Sequence, residues 1–264
     1  MTGTVAALFR YPIKSFQGVA VEALTIGPRG VDGDRRYALI DASNDKIASA
    51  KMDKQLLDAT VADTLDGDVT FTLPDGRTFR PGDAEVDGVL SEWIGRAVTL
   101  TAADQRDDPL AYDDRSRSYV MTFDPEHDDA EVVDWPAPAG TFLDLAALHV
   151  LTTGSIERCR EARPETDWDV RRFRPNILVD LDDGGFPEDA WVGRRVRVGG
   201  VVLDVQMRTV RCAMPNRAQP GGIPRDVQVF RTMRDLHDNH LGAYAAVAEP
   251  GVVRVGDAVE PLDG

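Results

Sequence analysis

Only two cysteines, Cys159 and Cys212, occur in 264 residues. One bridge is the most they could form, so a disulfide framework is excluded. Lysine is almost as scarce: Lys14, Lys46, Lys51 and Lys54 are the only four, and Lys14 stands alone before position 46. The four histidines, His127, His149, His237 and His240, are scattered, and neither C-x-x-C nor H-E-x-x-H occurs. The common zinc motifs are therefore missing. No run approaches the ~18 apolar residues of a spanning helix. The opening MTGTVAALFRYPIKS has too short an apolar run, and no basic stretch before it, for a secretory signal. Positive charge is in deficit, with 30 Lys+Arg against 45 Asp+Glu and a formal net charge of −15. Phosphate neutralisation needs a net basic face, so nucleic acid and anionic membranes are poor partners. The expectation is a cytoplasmic protein that binds neither.

Short strand-like runs dominate what is present. VAALFRYPIKS opens with one, and VEALTIGPRGVDGDRRYALID reads strand, Gly-rich turn, strand. DVTFTLPDGRTF and RRVRVGGVVLDVQ read as hairpins, turning at Pro-Asp-Gly and Gly199-Gly200. GVVRVGDAVEPL reads as a closing strand pair around Gly256-Asp257. Helical patterns are few: GVLSEWIGR, SIERCREARP and FRTMRDLHDNHL. The balance predicts a mainly β, barrel-type fold decorated with helices. Residues 106–140 are rich in Asp, Arg and Pro with weak periodicity, and read as a linker or surface insertion.

Four segments concentrate reactive or cationic side chains. In Arg208-Thr209-Val210-Arg211-Cys212-Ala213-Met214-Pro215-Asn216 a strand leads into a cysteine flanked by arginines. Arg208 and Arg211 would stabilise a thiolate, the form that attacks electrophiles and ligates soft metals. The plainer account of Cys212 is a small buried apolar residue. Tyr11-Pro12-Ile13-Lys14-Ser15 sets an ammonium beside a hydroxyl after a rigid corner, which suits a phosphate or is simply a surface turn. Gly27 to Tyr37 offers tight turns ahead of Arg35, at spacings that match neither G-x-G-x-x-G nor a P-loop. A hairpin with an Asp34–Arg35 ion pair is the alternative there. Arg171-Arg172-Phe173-Arg174-Pro175-Asn176 puts three arginines ahead of an apolar strand. The guanidinium fork suits phosphate oxygens, although Asp167 and Asp169 could simply balance the charge. His237 and His240, at i, i+3 on a candidate helix, read as a solvated face. Together these segments suit an anionic, phosphate-bearing small molecule held near Cys212.

The motifs YPIKS, GDRRYALID, RFRPNILV and VRCAMPN, followed by a terminal VRVGDAV, resemble in kind and order the MOSC superfamily. That superfamily is named for the C-terminal domain of molybdenum cofactor sulfurase. The resemblance is to the branch with an N-terminal β-barrel region, which includes the mitochondrial amidoxime-reducing component. It implies a MOSC N-terminal β-barrel region over 1–105 and a MOSC β-barrel domain with peripheral helices over 106–264. It implies a molybdenum cofactor (Mo-molybdopterin) and, as an association of the domain, pyridoxal phosphate binding. By motif, Cys212 matches the thiolate that ligates molybdenum and is the catalytic residue. Lys14, Ser15, Arg35, Thr152, Arg174, Asn176 and Arg211 match cofactor contacts. The implied activity is reduction of N-hydroxylated compounds, with electrons from a separate flavin or iron–sulfur reductase. The alternative is a cofactor carrier or sulfur-transfer protein that uses Cys212 as a persulfide or metal-holding thiolate. Two departures stand out. Val210 replaces a hydroxyl that relatives often carry, and the cysteine cluster of a fused ferredoxin-type domain does not follow.

Overall fold

β-Branched residues fill the longest strand-like runs, and at alternate positions they turn to one face. A computed structural model describes residues 2–63, 69–104, 111–121, 132–181 and 183–262. Seven strands close a barrel: β1 (Gly3–Arg10), β2 (Leu148–Thr152), β3 (Ile177–Asp180), β4 (Arg195–Val198), β5 (Val201–Val210), β6 (His240–Glu249) and β7 (Ala258–Pro261). Around the barrel they run β1, β3, β2, β6, β5, β4, β7 and back to β1. Every neighbouring pair is antiparallel except β2 with β3. A parallel pair needs a crossover, and helix α2 (Thr153–Ala162) lies in it. Val201, Leu203 and Val205, alternating along β5, join Val5, Leu8, Ile177, Val179, Trp191 and Val259 in the barrel core.

Strand β1 closes the barrel. Val5 faces Val179 and Leu8 faces Ile177 on one side, and Gly3 faces Val259 on the other. The N-terminal and C-terminal regions therefore share one sheet. They share a second where Ala23–Gly27 pairs with Gly251–Arg254. The expected pairing within GVVRVGDAVEPL is corrected here: Gly251–Arg254 joins that smaller sheet, while β7 pairs with β4 and β1.

The N-terminal region builds its own core around Ile13, Phe16, Leu39, Phe71 and Leu90. Phe16 meets Phe71 and Trp93 edge-on, at 5.6 and 5.9 Å between ring centroids. Helix α1 (Val86–Ile94) buries Val86, Leu90 and Ile94 at four-residue spacing, and left-handed Gly95 ends it. The segment 106–140 carries more than a linker. Its strands Ser118–Met121 and Val133–Pro136 form a hairpin, and buried Tyr119 bridges to Ile47. The rest of that segment lies in part outside the described residues. Helices α2 and α3 (Gln228–His237) enclose a further core with Cys159, Trp168, Phe173 and Met233. Cys212 packs against both the N-terminal core and the cluster of Ile40, Tyr119 and Phe142. The structure so described is mainly β with three α-helices. Among the described residues, no helix is long and apolar enough to cross a membrane.

Candidate functional site

At the end of β1 the chain turns through Tyr11 to Ser15, and Tyr11 becomes the base of a pocket wall. Asp34 Oδ1 accepts from the Tyr11 backbone N at 2.7 Å, and the Tyr11 hydroxyl donates to Pro175 O at 3.0 Å. Its ring lies between two guanidiniums, with Arg35 at 4.6 Å and Arg174 at 4.2 Å from the centroid. Each such contact contributes ~0.5–2 kcal/mol and fixes the cation in place. Gly18 makes room for the ring: a Cβ there would collide with Tyr11 Cε1. Asp34 pairs with Arg35, while Arg174 donates to Phe16 O at 2.8 Å. Burial pushes Arg174 down to about 10.

Six described non-glycine residues have positive φ. Three are Asp or Asn, which tolerate it. The other three are Ser15 (φ 70°), Arg35 (φ 44°) and Arg174 (φ 54°), and all three line the same pocket. Such strain costs on the order of 1–3 kcal/mol per residue and clusters at functional sites.

A second group of cations faces them. Lys14 Nζ reaches Asp144 Oδ1 at 2.6 Å and Phe142 O at 2.7 Å, and Lys51 Nζ reaches the same Asp144 oxygen at 2.9 Å. Both ammoniums sit over the Tyr119 ring, at 4.8 and 3.9 Å. Burial, and the like charge of Lys51, push Lys14 down to about 8 against the pull of Asp144. Burial alone would raise the Asp144 carboxyl. The two lysines outweigh it and hold that carboxyl well below the usual range.

Strand β5 delivers Arg211 and Cys212 to the pocket. Asn239 clamps the Arg211 backbone, accepting from its N at 2.9 Å and donating to its O at 2.5 Å. The Arg211 guanidinium donates to Phe173 O at 2.9 Å and lies 5.6 Å from the Phe173 ring. Cys212 is a free, half-buried thiol. The loop after it is fastened from below by fully buried Arg172, which donates to the carbonyls of Pro215, Arg217, Pro224 and Asp167 at 2.7–3.4 Å. The pocket encloses about 770 Å³ of free space, its mouth included. That is on the scale of small-molecule sites. Among the described residues, no three His, Cys, Asp or Glu side chains are grouped to hold a metal ion. A metal beside Cys212 would bring ligands of its own.

Two families match the chain: residues 2–108 match the MOSC N-terminal beta barrel domain, and residues 139–260 match the MOSC domain. The chain is a MOSC-domain protein. Among its curated relatives are the proteins named mitochondrial amidoxime-reducing component 1 from Mus musculus and Homo sapiens, at 25% and 24% identity. Each match covers 97% of this chain and 82% of the relative. The YuaD protein from Bacillus subtilis aligns over 99% of this chain and 96% of its own, at 14% identity and a TM-score of 0.47. MOSC domains are associated with molybdenum cofactor binding. Pyridoxal phosphate appears in none of the matched descriptions.

In this MOSC protein Lys14, Ser15, Arg35, Arg174, Asn176, Arg211 and Cys212 all line the one pocket. Thr152 does not, and that expectation is corrected. Its fully buried hydroxyl caps α2 by accepting from Ser155 N at 3.2 Å, and it bonds Glu188 Oε2 at 2.6 Å. Asn176 lines the wall but spends its amide within the protein. Its Oδ1 accepts from His149 N at 3.2 Å, and its Nδ2 donates to Asp34 Oδ2 at 3.2 Å. Arg208 lies away from Cys212, 3.9 Å from Asp189. His237 is no solvated face. It bonds Asp189 at 2.6 Å and stacks on Phe186 at 3.8 Å. Sequence reasoning missed Lys51, Asp144, Ser49 and His149 in the wall. The scarcity of lysine was the one signal for Lys51. Nothing local marked Asp144.

Proposed function

We propose that this MOSC protein is a molybdenum-cofactor-dependent reductase of N-hydroxylated compounds. The observation that supports it is a free thiol sharing one pocket with guanidiniums that lack carboxylate partners. Among the described residues, Arg174 and Arg211 donate to backbone carbonyls rather than to acids. The Arg211 Nε is buried without a hydrogen-bond partner. An anionic, phosphate-bearing ligand fits that donor set, because the guanidinium fork matches phosphate oxygens. Cys212 offers the one protein thiolate a soft metal would take.

Arg35, Arg174, Arg211 and Lys14 would hold the cofactor, with the Ser15 hydroxyl beside them. Ser15 Oγ accepts from Ala50 N at 3.0 Å, which leaves its hydrogen to donate to a ligand. Tyr11 and Gly18 keep two of these cations pre-positioned, so little ordering remains for binding. When bound, the molybdenum cofactor supplies the two-electron chemistry that the side chains lack. The overall reaction is R–NH–OH + 2 e⁻ + 2 H⁺ → R–NH₂ + H₂O, in which the N–O bond breaks and its oxygen leaves as water. The electrons come from a separate flavin or iron–sulfur reductase.

Molybdenum and pterin content, measured on protein from a cofactor-competent host, is the test. Wild type is expected to carry both, and Cys212→Ser to lose most of its molybdenum. Reduced-dye oxidation should then depend on benzamidoxime. Wild type without molybdopterin overturns the reading, and full cofactor without turnover assigns a carrier instead.

A further inference from the structure

The substrate of such a reductase must come within reach of Cys212 and lie against what the cofactor leaves uncovered there. Lys14, Ser15, Arg35, Arg174 and Arg211 are taken by the cofactor. Asp144 is spent on Lys14 and Lys51. Of the pocket's other side chains, those not buried are Leu145, Ala146, Val210 and Tyr244. None of them brings a charge, since burial pushes the Tyr244 hydroxyl up to about 12. Val210 stands two residues before Cys212 and is 41% exposed. Seven large apolar residues are exposed among the described residues, and Val210 alone of these lines the pocket. A single exposed valine on open surface needs no explanation. This one shares a wall with further apolar surface and with the Tyr244 ring, which His149 holds edge-on at 5.7 Å. Its place is fixed, because it pairs with His240 in the β5–β6 ladder and Asn239 clamps the next residue. Methyl surface left in water is unfavourable until an apolar ligand covers it.

We propose that Val210 is a specificity-determining residue whose methyl groups pack against the body of the substrate, so that the preferred N-hydroxylated compounds carry an aryl or bulky alkyl body. The inference rests on the reductase reading above.

The test compares benzamidoxime with acetamidoxime on holoenzyme, for wild type, Val210→Ser and Val210→Ile. The two compounds share the reacting group and differ in apolar body. An exposed position tolerates both substitutions, so the variants should fold like wild type. Wild type should favour benzamidoxime in kcat/KM, by roughly tenfold. Loss of one or two methyl groups from a contact corresponds to roughly 4–15-fold. The ratio, benzamidoxime over acetamidoxime, should therefore fall about fourfold or more in Val210→Ser and stay within about twofold in Val210→Ile. Calorimetry on the oxidised protein, which binds without turning over, should show the same weakening for benzamidoxime. Absence of any wild-type preference, or a ratio that moves less than about twofold in Val210→Ser, overturns the proposal. So does a changed molybdenum content at constant ratio, which would make Val210 a cofactor contact instead. If wild-type holoenzyme reduces neither compound, the reductase reading fails by itself. The calorimetric comparison then decides, since Val210→Ser must still weaken benzamidoxime about fourfold.

Discussion

Adjacent arginines should differ sharply in what they contribute to stability. Arg172 is fully buried and donates from Nε to Asp167 O at 2.7 Å, from Nη1 to Pro215 O at 3.0 Å and Arg217 O at 3.4 Å, and from Nη2 to Pro224 O at 3.0 Å. In Arg172→Met these carbonyls lose their donor, Pro215 O at a buried position and the other three at partly buried ones. Each unsatisfied buried acceptor costs ~1–3 kcal/mol. Partial collapse lets some regain partners, so the expected loss is about 3–5 kcal/mol. That is about a fifth or more of a typical total stability of ~5–15 kcal/mol. Arg171, one residue earlier, has a side chain 42% exposed and pairs with Asp169 at 2.7 Å. Exposed pairs contribute ~0–1 kcal/mol. Urea titrations of wild type, Arg171→Met and Arg172→Met measure the contrast. The Arg172 carbonyl partners lie just beyond Cys212, so cofactor retention should fall in Arg172→Met while Arg171→Met stays near wild type. A loss below about 1 kcal/mol in Arg172→Met, or equal losses in the two variants, would refute the reasoning.

Two further outcomes are expected. Cys159 is fully buried, and burial pushes its thiol up to about 12, whereas Cys212 lines the open pocket. A disulfide-exchange dye should therefore titrate one thiol in the native apo protein, none in native Cys212→Ser and two in denatured wild type; two fast native thiols would contradict the packing of Cys159. Lys14 falls from 10.5 in the unfolded chain to about 8 in the folded one. Between those values the unfolded chain binds more protons, so this group's contribution to stability rises with pH across that window. Wild type should accordingly gain stability relative to Lys14→Met between pH 7.5 and 10, and an opposite slope would mean that Asp144 dominates burial.

Much of the fold was legible because its signals are local. All three helices form within a few residues of the expected segments, although the second starts at Thr153 and takes Gly154 and Ser155 inside it, and the Gly199-Gly200 hairpin forms as β4 and β5. The closing strands misled because turn chemistry is local while pairing is not. Gly256-Asp257 does turn the chain, but Gly251–Arg254 pairs with Ala23–Gly27 and β7 with β4 and β1, all distant in sequence. Residues 106–140 lack periodicity, yet long-range contact with Ile47 orders their hairpin. At the site, Lys14, Arg35, Arg174 and Cys212 stood out as charge or thiol at strand ends. Asp144 and Ser49 did not, since one acid among 45 Asp and Glu, or one serine, carries no local mark.

The sequence by itself determined the chemistry on offer: two thiols, a few lysines, and arginines bunched beside a proline. Only the tertiary structure decided where each went. Arg171, Arg172 and Arg174 are near neighbours with three destinations, because a 3-10 turn over Val170–Arg172 and a left-handed Arg174 rotate them apart. One pairs at the surface, one fastens the loop after Cys212 and one stacks on Tyr11. Composition cannot encode those directions, since they depend on backbone angles that the surrounding barrel holds in place.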